Sequence, residues 1–285
     1  MVIQKKQKIG LLIGLFLVMI IVWIFVFTQE SGEFLKVEFF DVGQGDAEFI
    51  ETPRRQQILI DGGPDMSILE KLGKAMSFYD RYIDLIILTH PEADHLNGLI
   101  EVLKRHDIGA VITAGIIRDT QEYKEWINLL QEKKIPIYIA KAGGIINLGG
   151  NINVNILYPF ENLVGKIISD TNNSSVVSKL VYGDFEVLFT GDIEKTTENK
   201  LVSADINLNS DILKISHHGS KTSTTEEFLK AVNALLAIIE VGKDNQYGHP
   251  HQEVLERLNN MRILQTGRDG DIKIFSDGLN FEIKK

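Results

Sequence analysis

Histidines and carboxylates are concentrated in one short segment of the chain. Four of them, His90, Glu92, Asp94 and His95, fall within six consecutive positions. Imidazole nitrogens and carboxylate oxygens bind zinc, manganese or iron in proteins. The alternative is a solvated turn that caps the next helix, with Asp94 as its N-cap. The other polar motifs of the chain favour a metal site.

Later motifs place further donor groups directly after apolar segments. Asp192 follows one such segment in T-G-D, where a carboxylate is able to bridge two cations. His217 and His218 follow another in S-H-H-G-S, and His249 lies in Y-G-H-P. Loops after rigid strands are common locations for functional residues. His106 stands outside these motifs, and we interpret it as an ordinary histidine at a helix end.

Two glycine-containing motifs upstream complete the set. The segment 41–46, D-V-G-Q-G-D, is predicted to turn between two strands. A simple hairpin is the alternative interpretation, since glycine readily adopts positive φ. Asp61 precedes two glycines at the end of another predicted strand. From that position a carboxylate is able to orient a ligand histidine, because it accepts a hydrogen bond from the ring nitrogen that does not bind the metal.

The elements that must position these groups are strands and helices in mixed order. Strands come in consecutive groups early and late, and helices separate them in between. This pattern is typical of an α/β fold with mixed sheets rather than a doubly wound parallel sheet. The predicted strands are 37–41, 47–51, 57–60, 85–88, 110–114, 137–140, 153–158, 176–181, 185–190, 212–215, 235–241, 263–266, 272–275 and 281–284, and the predicted helices are 66–78, 96–105, 122–133, 225–232 and 252–259.

The composition bounds what the chain can do. Its 285 residues carry a formal net charge of −9 and no cysteine. Without thiols, any transition metal must be held by histidine and carboxylate. The acidic charge argues against a broad electrostatic grip on nucleic acid, which depends on clustered lysine and arginine. It is compatible with a local metal site that handles phosphates.

The amino-terminal segment predicts a membrane anchor. Lys5, Lys6 and Lys8 precede an uncharged run over 9–27. This run has about the 20 residues that a bilayer-spanning helix needs. A cleaved signal peptide is the alternative, but it has an apolar core of roughly 7–15 residues and a small-residue cleavage site. The run is longer and lacks such a site, so we expect an uncleaved transmembrane helix.

The domain organisation follows from this anchor. Lysines before an anchor favour a cytoplasmic amino terminus, so residues 1–8 form a basic cytoplasmic tip. Residues 28–33 form a short polar linker. Residues 34–285 form one domain, because no second linker, repeat or low-complexity block interrupts them. The expected location is the cell membrane, single-pass, with this domain extracytoplasmic; a cleaved and secreted form is the alternative.

Together the motifs resemble the metallo-β-lactamase superfamily, whose signature is H-x-H-x-D-H. Within it they are most similar to the hydrolase domain of the ComEC family of bacterial competence DNA-uptake proteins, across about residues 34–285. The matching motifs are D-V-G-Q-G-D at 41–46, D-G-G at 61–63, T-H-P-E-A-D-H-L-N-G at 89–98, T-G-D at 190–192, H-H-G-S-K-T-S at 217–223 and Y-G-H-P at 247–250. The resemblance implies the metallo-β-lactamase fold, a four-layer αβ/βα sandwich with metals at the sheet edges between its halves.

The resemblance also implies a cofactor and its ligands. One or two divalent ions, Zn²⁺ or Mn²⁺, are expected. His90 and Glu92 line a first metal position in this assignment. Asp94 and His95 line a second position, and Asp192 bridges the two.

Other residues receive supporting roles in the same assignment. His218 is the late ligand that precedes glycine, with His217 as the alternative. His249 acts near the scissile bond as a general acid or a phosphate contact. The residues expected to support these groups or to contact the substrate are Asp41, Gln44, Asp46, Asp61, Asn173, His217 and Ser220.

Two departures from the family pattern concern the first metal position. Glu92 stands where the second signature histidine is usual, and the segment 171–175, T-N-N-S-S, has no histidine where the family often supplies one. Three outcomes follow. One metal binds, at the second position; two bind, with Mn²⁺ preferred because carboxylate and amide ligands are harder; or the first cation binds only with substrate.

The expected chemistry is hydrolysis by a metal-bound hydroxide. A divalent metal lowers the pKa of its water from about 16 towards about 7, and Asp94 orients or deprotonates that water. The resemblance implies phosphodiesters as substrates, DNA among them, with Asp94 and His249 as catalytic residues. The alternatives are another ester, such as a lactone or a cell-envelope phosphoester, and a non-catalytic metal-binding module. β-Lactam hydrolysis is not expected, because a shared fold does not determine the substrate.

Overall fold

The structure is a computed structural model that describes residues 2–29, 32 and 34–284. From Leu35 onward the chain forms two β-sheets with helices on their outer faces. The elements are numbered in chain order, and those that carry the polar motifs lie near the middle of each sheet.

The chain begins with helix α1, Val2–Gln29, whose side chains are described from 7 to 23. Among the residues that the structure describes, no helix is long and apolar enough to cross a membrane. The spanning helix predicted over 9–27 is therefore not supported by this part of the chain. Its last positions, 24–27, lie outside the residues whose side chains are described.

The first sheet combines strands from the two ends of the α/β region. Its strands are β1 (Leu35–Phe39), β2 (Glu48–Glu51), β3 (Gln57–Ile60), β4 (Tyr82–Leu88), β5 (Asp107–Thr113), β6 (Ile137–Ile139), β14 (Ile272–Ser276) and β15 (Phe281–Lys284). They lie in the order β15-β14-β1-β2-β3-β4-β5-β6. From β3 to β6 the strands are parallel, and the remaining pairs are antiparallel.

The second sheet has the same mixed character. Its strands are β7 (Ile145–Gly149), β8 (Ile152–Tyr158), β9 (Val177–Tyr182), β10 (Phe185–Phe189), β11 (Ile212–Lys214), β12 (Leu236–Ile239) and β13 (Arg262–Gln265). They lie in the order β13-β12-β11-β10-β9-β8-β7. The strands from β10 to β13 are parallel, so their carboxyl ends share one edge of the sheet.

Helices cover the outer face of each sheet. Helices α2 (Ser67–Ala75), α3 (Ala93–Arg105) and α4 (Gln121–Glu132) bury Leu72, Leu99 and Trp126 against the first sheet. Helices α5 (Lys195–Ser203), α6 (Glu226–Val232) and α7 (Gln252–Arg257) bury Leu201, Phe228 and Val254 against the second. A short helix, α8 (Thr266–Asp269), follows β13.

The inner faces of the two sheets pack on each other and form the central core. Phe39 of β1 stacks on Phe189 of β10 with ring centroids 5.9 Å apart. Strand β4 is buried on both faces, as expected for a parallel strand that is covered on each side. The layers therefore run helix, sheet, sheet, helix. The predicted four-layer αβ/βα sandwich is confirmed.

Candidate metal centre

Three loops bring the predicted donor groups to one place. The loop after β4 carries His90 and leads into α3, whose first turn holds Asp94 and His95. Asp192 follows β10, and His218 lies in the 3₁₀ turn Ser216–Gly219 after β11. All three loops leave the carboxyl ends of parallel strands, where binding sites of α/β folds commonly lie.

Four side chains form a compact cluster of metal-binding atoms. One donor atom from each of Asp94, His95, Asp192 and His218 lies within 4.8 Å of the others. Asp192 Oδ2 is 3.3 Å from His95 Nε2 and 3.4 Å from His218 Nε2. His218 Nε2 is also 3.3 Å from Asp94 Oδ2. This set of two imidazoles and two carboxylates suits Zn²⁺ or Mn²⁺.

The second nitrogen of each clustered histidine is held from behind. His95 Nδ1 lies 2.7 Å from Asp61 Oδ2, and His218 Nδ1 lies 2.8 Å from the carbonyl oxygen of Glu240. These contacts fix the ring orientation, and both Nε2 atoms are left for the cluster. His95 Nε2 and Asp192 Oδ1 are buried without a hydrogen-bond partner. Buried polar atoms without partners are costly, and a cation at the cluster would satisfy them, so these residues fit a metal.

The charges of the cluster reinforce one another. Burial raises the pKa of Asp192, but His218 and His95 outweigh it and hold that pKa well below the ordinary value. Burial disfavours the charged form of His218 and so lowers its pKa. Asp192 and Asp46 outweigh this effect and raise the pKa of His218 to about 10. Asp94 is also held below its usual pKa, where burial is outweighed by His95 and His218. A cation bound by these nitrogens must displace their protons.

The predicted first metal position is not assembled. The carboxylate of Glu92 forms an ion pair with Arg118. The guanidinium lies 3.2 Å from Oε1 and donates a hydrogen bond of 3.3 Å to Oε2. The hydroxyl of Thr171 also donates to Glu92. Within the described residues, no group of three or more metal-binding side chains includes Glu92 or His90. In this structure an ion pair and a hydroxyl group hold the carboxylate of Glu92, and its ligand role stays a prediction.

His90 nevertheless lies beside the cluster. It is buried, and its ring centroid is 4.2 Å from that of His95. Its Nδ1 is 3.1 Å from Thr89 Oγ1 and 3.3 Å from Ser175 Oγ, while its Nε2 is buried without a partner. Burial lowers the pKa of His90 to about 3, and His95 acts in the same direction. His90 is therefore a neutral imidazole at the edge of the four-residue cluster.

The two adjacent histidines after β11 point to different partners. Both adopt left-handed backbone angles, with φ of 51° at His217 and 52° at His218. His218 joins the cluster. His217 instead lies 3.4 Å from each of Glu194 Oε1, Thr222 Oγ1 and Asn172 Nδ2. The geometry therefore separates the two histidines that the sequence left as alternatives.

Most of the predicted supporting residues lie around the cluster. Asp46 is buried beneath it, 3.2 Å from His218 Nδ1 and in contact with Lys214. In addition to its contact with His95, Asp61 accepts two hydrogen bonds from Thr89. The backbone N–H donates one at 2.8 Å, and the hydroxyl donates the other at 2.6 Å. Gln44 lines the cleft above the cluster. These residues connect the loop 41–46 to the donor groups.

Three further predicted residues stabilise local structure instead. Asp41 receives a weak hydrogen bond, 3.4 Å long, from the backbone of Gly43. Asn173 accepts from the backbone of Glu194 at 3.1 Å and donates to Asp170 at 2.8 Å. Ser220 Oγ lies 3.0 Å from Thr222 Oγ1. None of the three is among the described residues that line the cleft.

The cluster opens into a cleft of about 290 Å³. Its lining residues are Gln44, Glu92, Asp94, Asn172, Asp192, His217, His218, Tyr247 and His249. Burial lowers the pKa of His249 to about 4, and His218 and His217 act in the same direction, so its imidazole is neutral at pH 7. A larger cavity of about 760 Å³ near β6 and β7 is mainly apolar, and its described lining contains no histidine. The smaller cleft is the candidate site.

Sequence reasoning missed several residues that shape this site. Lys214 is fully buried in β11 and lies 3.6 Å from Asp192 Oδ1, although the apolar strand around it suggested nothing polar. Asn245 hydrogen-bonds the loop that carries Tyr247 and His249. Arg118 pairs with Glu92 across 26 positions. For Lys214 the available signal was a lysine inside a strand pattern that is otherwise apolar.

Two known proteins are similar in sequence to most of this chain. ComE operon protein 3 of Bacillus subtilis (strain 168) is 32% identical over 90% of this chain and 34% of its own length. Competence protein ComA of Neisseria gonorrhoeae is 28% identical over 83% of this chain and 32% of its own length. The predicted similarity to competence proteins is confirmed, and this chain spans about a third of the length of these relatives.

A solved structure shares this architecture, and a family model matches most of the chain. The metallo-beta-lactamase fold protein YhfI from Bacillus subtilis superposes with a TM-score of 0.54 at 11% identity, over 85% of this chain and all of that chain (100%). At this identity the likeness shows the fold alone. The family model of the Metallo-beta-lactamase superfamily matches residues 40–239, which include the loops after β4, β10 and β11. This chain therefore belongs to the metallo-beta-lactamase superfamily.

Proposed function

We propose that the chain is a metal-dependent hydrolase of phosphodiesters. The observation that carries the proposal is the cluster of Asp94, His95, Asp192 and His218 at the floor of an open cleft. Three of these side chains are at most 3% exposed, whereas Asp94 is 34% exposed. The cluster is thus rigidly supported from below and accessible from above.

A divalent metal, when bound, supplies a Lewis acid and a water of lowered pKa. The four cluster residues would hold it. Asp94 has a low pKa and remains ionised, so it orients a nucleophilic water by accepting a hydrogen bond. The neutral His249, at the wall of the cleft, donates a hydrogen bond to an oxygen on which negative charge develops. Asp61 and Glu240 keep the ligand histidines oriented.

The metal count and identity are part of the proposal. One compact cluster, without Glu92, supports one strong metal position. Two imidazoles and two carboxylates accept either Zn²⁺ or Mn²⁺. His90, with its buried and unpartnered Nε2, is the residue nearest to a second, weaker position.

Nucleic acid is the substrate class that we favour. One of the two relatives is named a competence protein, and competence is a process that involves DNA. The cleft presents donors suited to phosphate oxygens once a cation neutralises Asp94 and Asp192. The net charge of −9 implies that recognition is local to the cleft, since broad electrostatic binding needs clustered basic residues.

The test uses the full chain with added Zn²⁺ or Mn²⁺ and four substrates. These are a single-stranded oligothymidylate, bis(p-nitrophenyl) phosphate, a phosphocholine ester and an acyl homoserine lactone. We expect metal-dependent cleavage of both diesters. Cleavage of the lactone or the phosphocholine ester alone would assign another ester substrate, and metal binding without any turnover would assign a non-catalytic module.

The amino-terminal lysines bear on the cellular location, because positive charges before an apolar segment favour the cytoplasmic side. We propose that the hydrolase region lies outside the cytoplasm. Protease added to intact expressing cells should then degrade a carboxyl-terminal tag, and the tag should fractionate with membranes. Protection of the tag in intact cells contradicts this location. Recovery of the tag in the medium indicates the cleaved form.

A further inference from the structure

A second cavity adjoins the candidate site. It has a volume of about 260 Å³ and is lined by Val241, Gly242, Lys243, His249, Pro250, Gln265, Gly267 and Arg268. His249 belongs to both cavities. A hydrogen bond of 3.2 Å from the backbone of Gly242 to Gln44 Oε1 also joins their linings. A ligand that fills the cleft therefore needs only a short extension to reach the second cavity.

The two cavities differ in charge. The cleft is lined by Glu92, Asp94 and Asp192. The second cavity has Lys243 and Arg268 and, among its described lining residues, no carboxylate. Arg268 is partly engaged, because Asp269 and the carbonyl of Ile263 accept its hydrogen bonds. Lys243 is exposed and has no ion pair within the described part of the chain, so its charge is available to an anionic ligand.

The wall between the cavities is held in place before any ligand binds. The side chain of Asn245 donates to the carbonyls of Gly242 and His249 at 2.9 and 2.7 Å. It accepts from the backbone of Tyr247 and His249 at 3.2 and 3.0 Å. On the other side, a Cβ at Gly267 would lie 2.5 Å from the backbone nitrogen of Lys243. Close backbone packing and four hydrogen bonds thus preorganise the loop 242–249.

The rim of the cleft adds an aromatic surface. Tyr247 is 58% exposed and stacks on His249, with ring centroids 5.8 Å apart and planes at 26°. His249 Nδ1 is buried and has no hydrogen-bond partner. An exposed aromatic face beside a cationic pocket combines the two features with which proteins bind single-stranded nucleic acid, base stacking and backbone contact.

We propose that the second cavity binds the phosphate adjacent to the one that is hydrolysed, with Lys243 as its main contact and Tyr247 as a stacking surface for a base. This inference rests on the proposed phosphodiesterase function and deepens it. The preferred substrate is then an oligonucleotide strand with at least two phosphates rather than an isolated diester.

The test compares TpT, which has one phosphate, with TpTpT, which has two. We expect the metal-loaded full chain to cleave TpTpT with a kcat/KM at least about tenfold higher, since hydrogen bonds to charged groups have effects of this order. Lys243→Met should bring the ratio of the two kcat/KM values close to one. Lys230→Met is the matched control, because Lys230 is 78% exposed and lines neither cavity. It should retain the ratio.

A binding experiment keeps the inference testable if turnover is absent. Fluorescein-labelled oligothymidylate is titrated into the metal-loaded full chain at several salt concentrations. Loss of one phosphate contact in Lys243→Met should reduce the slope of log K against log salt by about 0.7. Equal cleavage of TpT and TpTpT, or an unchanged slope in Lys243→Met, overturns the subsite. Absence of cleavage of both substrates counts against the proposed function, and the slope still decides the subsite.

Discussion

At the scale of single residues, the site depends on which carboxylates remain available to a cation. Asp94 and Asp192 contribute to the cluster, whereas Glu92 is engaged by Arg118 and Thr171. The resemblance to the metallo-β-lactamase superfamily placed Glu92 with His90 at a first metal position. Its partners come from 26 and 79 positions away, a distance at which no local pattern reveals pairing.

The different environments of Asp94 and Glu92 predict different effects of neutralising them. Asp94→Asn should lower diester hydrolysis by more than about 100-fold, as expected for a core catalytic group, and should lower metal content. Glu92→Gln should retain the metal. Metal analysis and kinetics with bis(p-nitrophenyl) phosphate measure both effects. Loss of bound metal in Glu92→Gln, with normal metal in Asp94→Asn, contradicts the assignment.

Lys214 is the buried cation that balances the acidic groups beneath the cluster. It contacts Asp46 and Asp192, and Glu48 and Glu240 are buried nearby. Lys214→Met should lower the free energy of unfolding by about 3–5 kcal/mol, because it leaves buried carboxylates without a counter-charge. Urea denaturation measures this loss. The exposed control Lys230→Met should remain within about 0.5 kcal/mol of the parent chain, and equal effects of the two substitutions contradict the role of Lys214.

At the scale of elements, helix α3 is positioned by close backbone contact with the loop after β3. A Cβ at Gly98 would lie 1.8 Å from the carbonyl oxygen of Gly62. Two backbone hydrogen bonds, each 2.9 Å long, join the two segments. The N–H of Gly98 donates to the carbonyl oxygen of Gly63, and the N–H of Gly62 donates to the carbonyl oxygen of His95. The first turn of α3 carries Asp94, so this contact places part of the cluster.

Gly98→Ala should therefore destabilise the fold more than an ordinary helix substitution. We expect a loss of at least about 1–3 kcal/mol, the usual cost of overpacking, since backbone must move. Gly73→Ala in α2 is the control, because its Cβ would meet nothing within 4 Å. That change should stabilise α2 by up to about 1 kcal/mol. Thermal or urea unfolding of both variants checks the contrast, and a neutral Gly98→Ala contradicts it.

The elements that the sequence predicted best are those with a strong apolar pattern. Strands such as β4 and β10 were predicted with the polar motifs directly after them. Helix α3 was predicted over 96–105, directly after the motif at 89–95, whereas the observed helix begins at Ala93 and includes Asp94 and His95. Helix α5 and strand β7 were not predicted. Helix α5 has one buried apolar residue, Leu201, and so lacks an apolar stripe, and β7 is largely exposed at a sheet edge. Both are stabilised by tertiary contacts that local sequence does not encode.

At the scale of the whole molecule, one histidine outside the site links stability to pH. His106 follows α3, is 5% exposed, and its Nδ1 has no hydrogen-bond partner. Burial, assisted by Arg81, lowers its pKa below the ordinary 6.5. Below pH 6.5 the unfolded chain then binds more protons than the folded chain, so stability falls as the pH decreases.

His106→Gln should remove this contribution. Its free energy of unfolding should decrease less between pH 6.5 and pH 5 than that of the parent chain, while the two should run parallel above about pH 7.5, where the histidine is neutral in both states. Urea denaturation across this range, with EDTA present, measures the difference. If the free energy of unfolding decreases equally in both chains between pH 6.5 and pH 5, His106 is not a buried, neutral histidine in the folded chain.

At the scale of the whole molecule, the central proposal is that one metal position, held by the four-residue cluster, hydrolyses phosphodiesters. The most direct measurement is the rate of bis(p-nitrophenyl) phosphate hydrolysis by the EDTA-treated full chain as Zn²⁺ or Mn²⁺ is added back. We expect no activity without metal and a rise that saturates near one equivalent per chain, absent in Asp192→Asn. Metal-independent hydrolysis, an Asp192→Asn variant as active as the parent, or no hydrolysis at any metal loading contradicts the account.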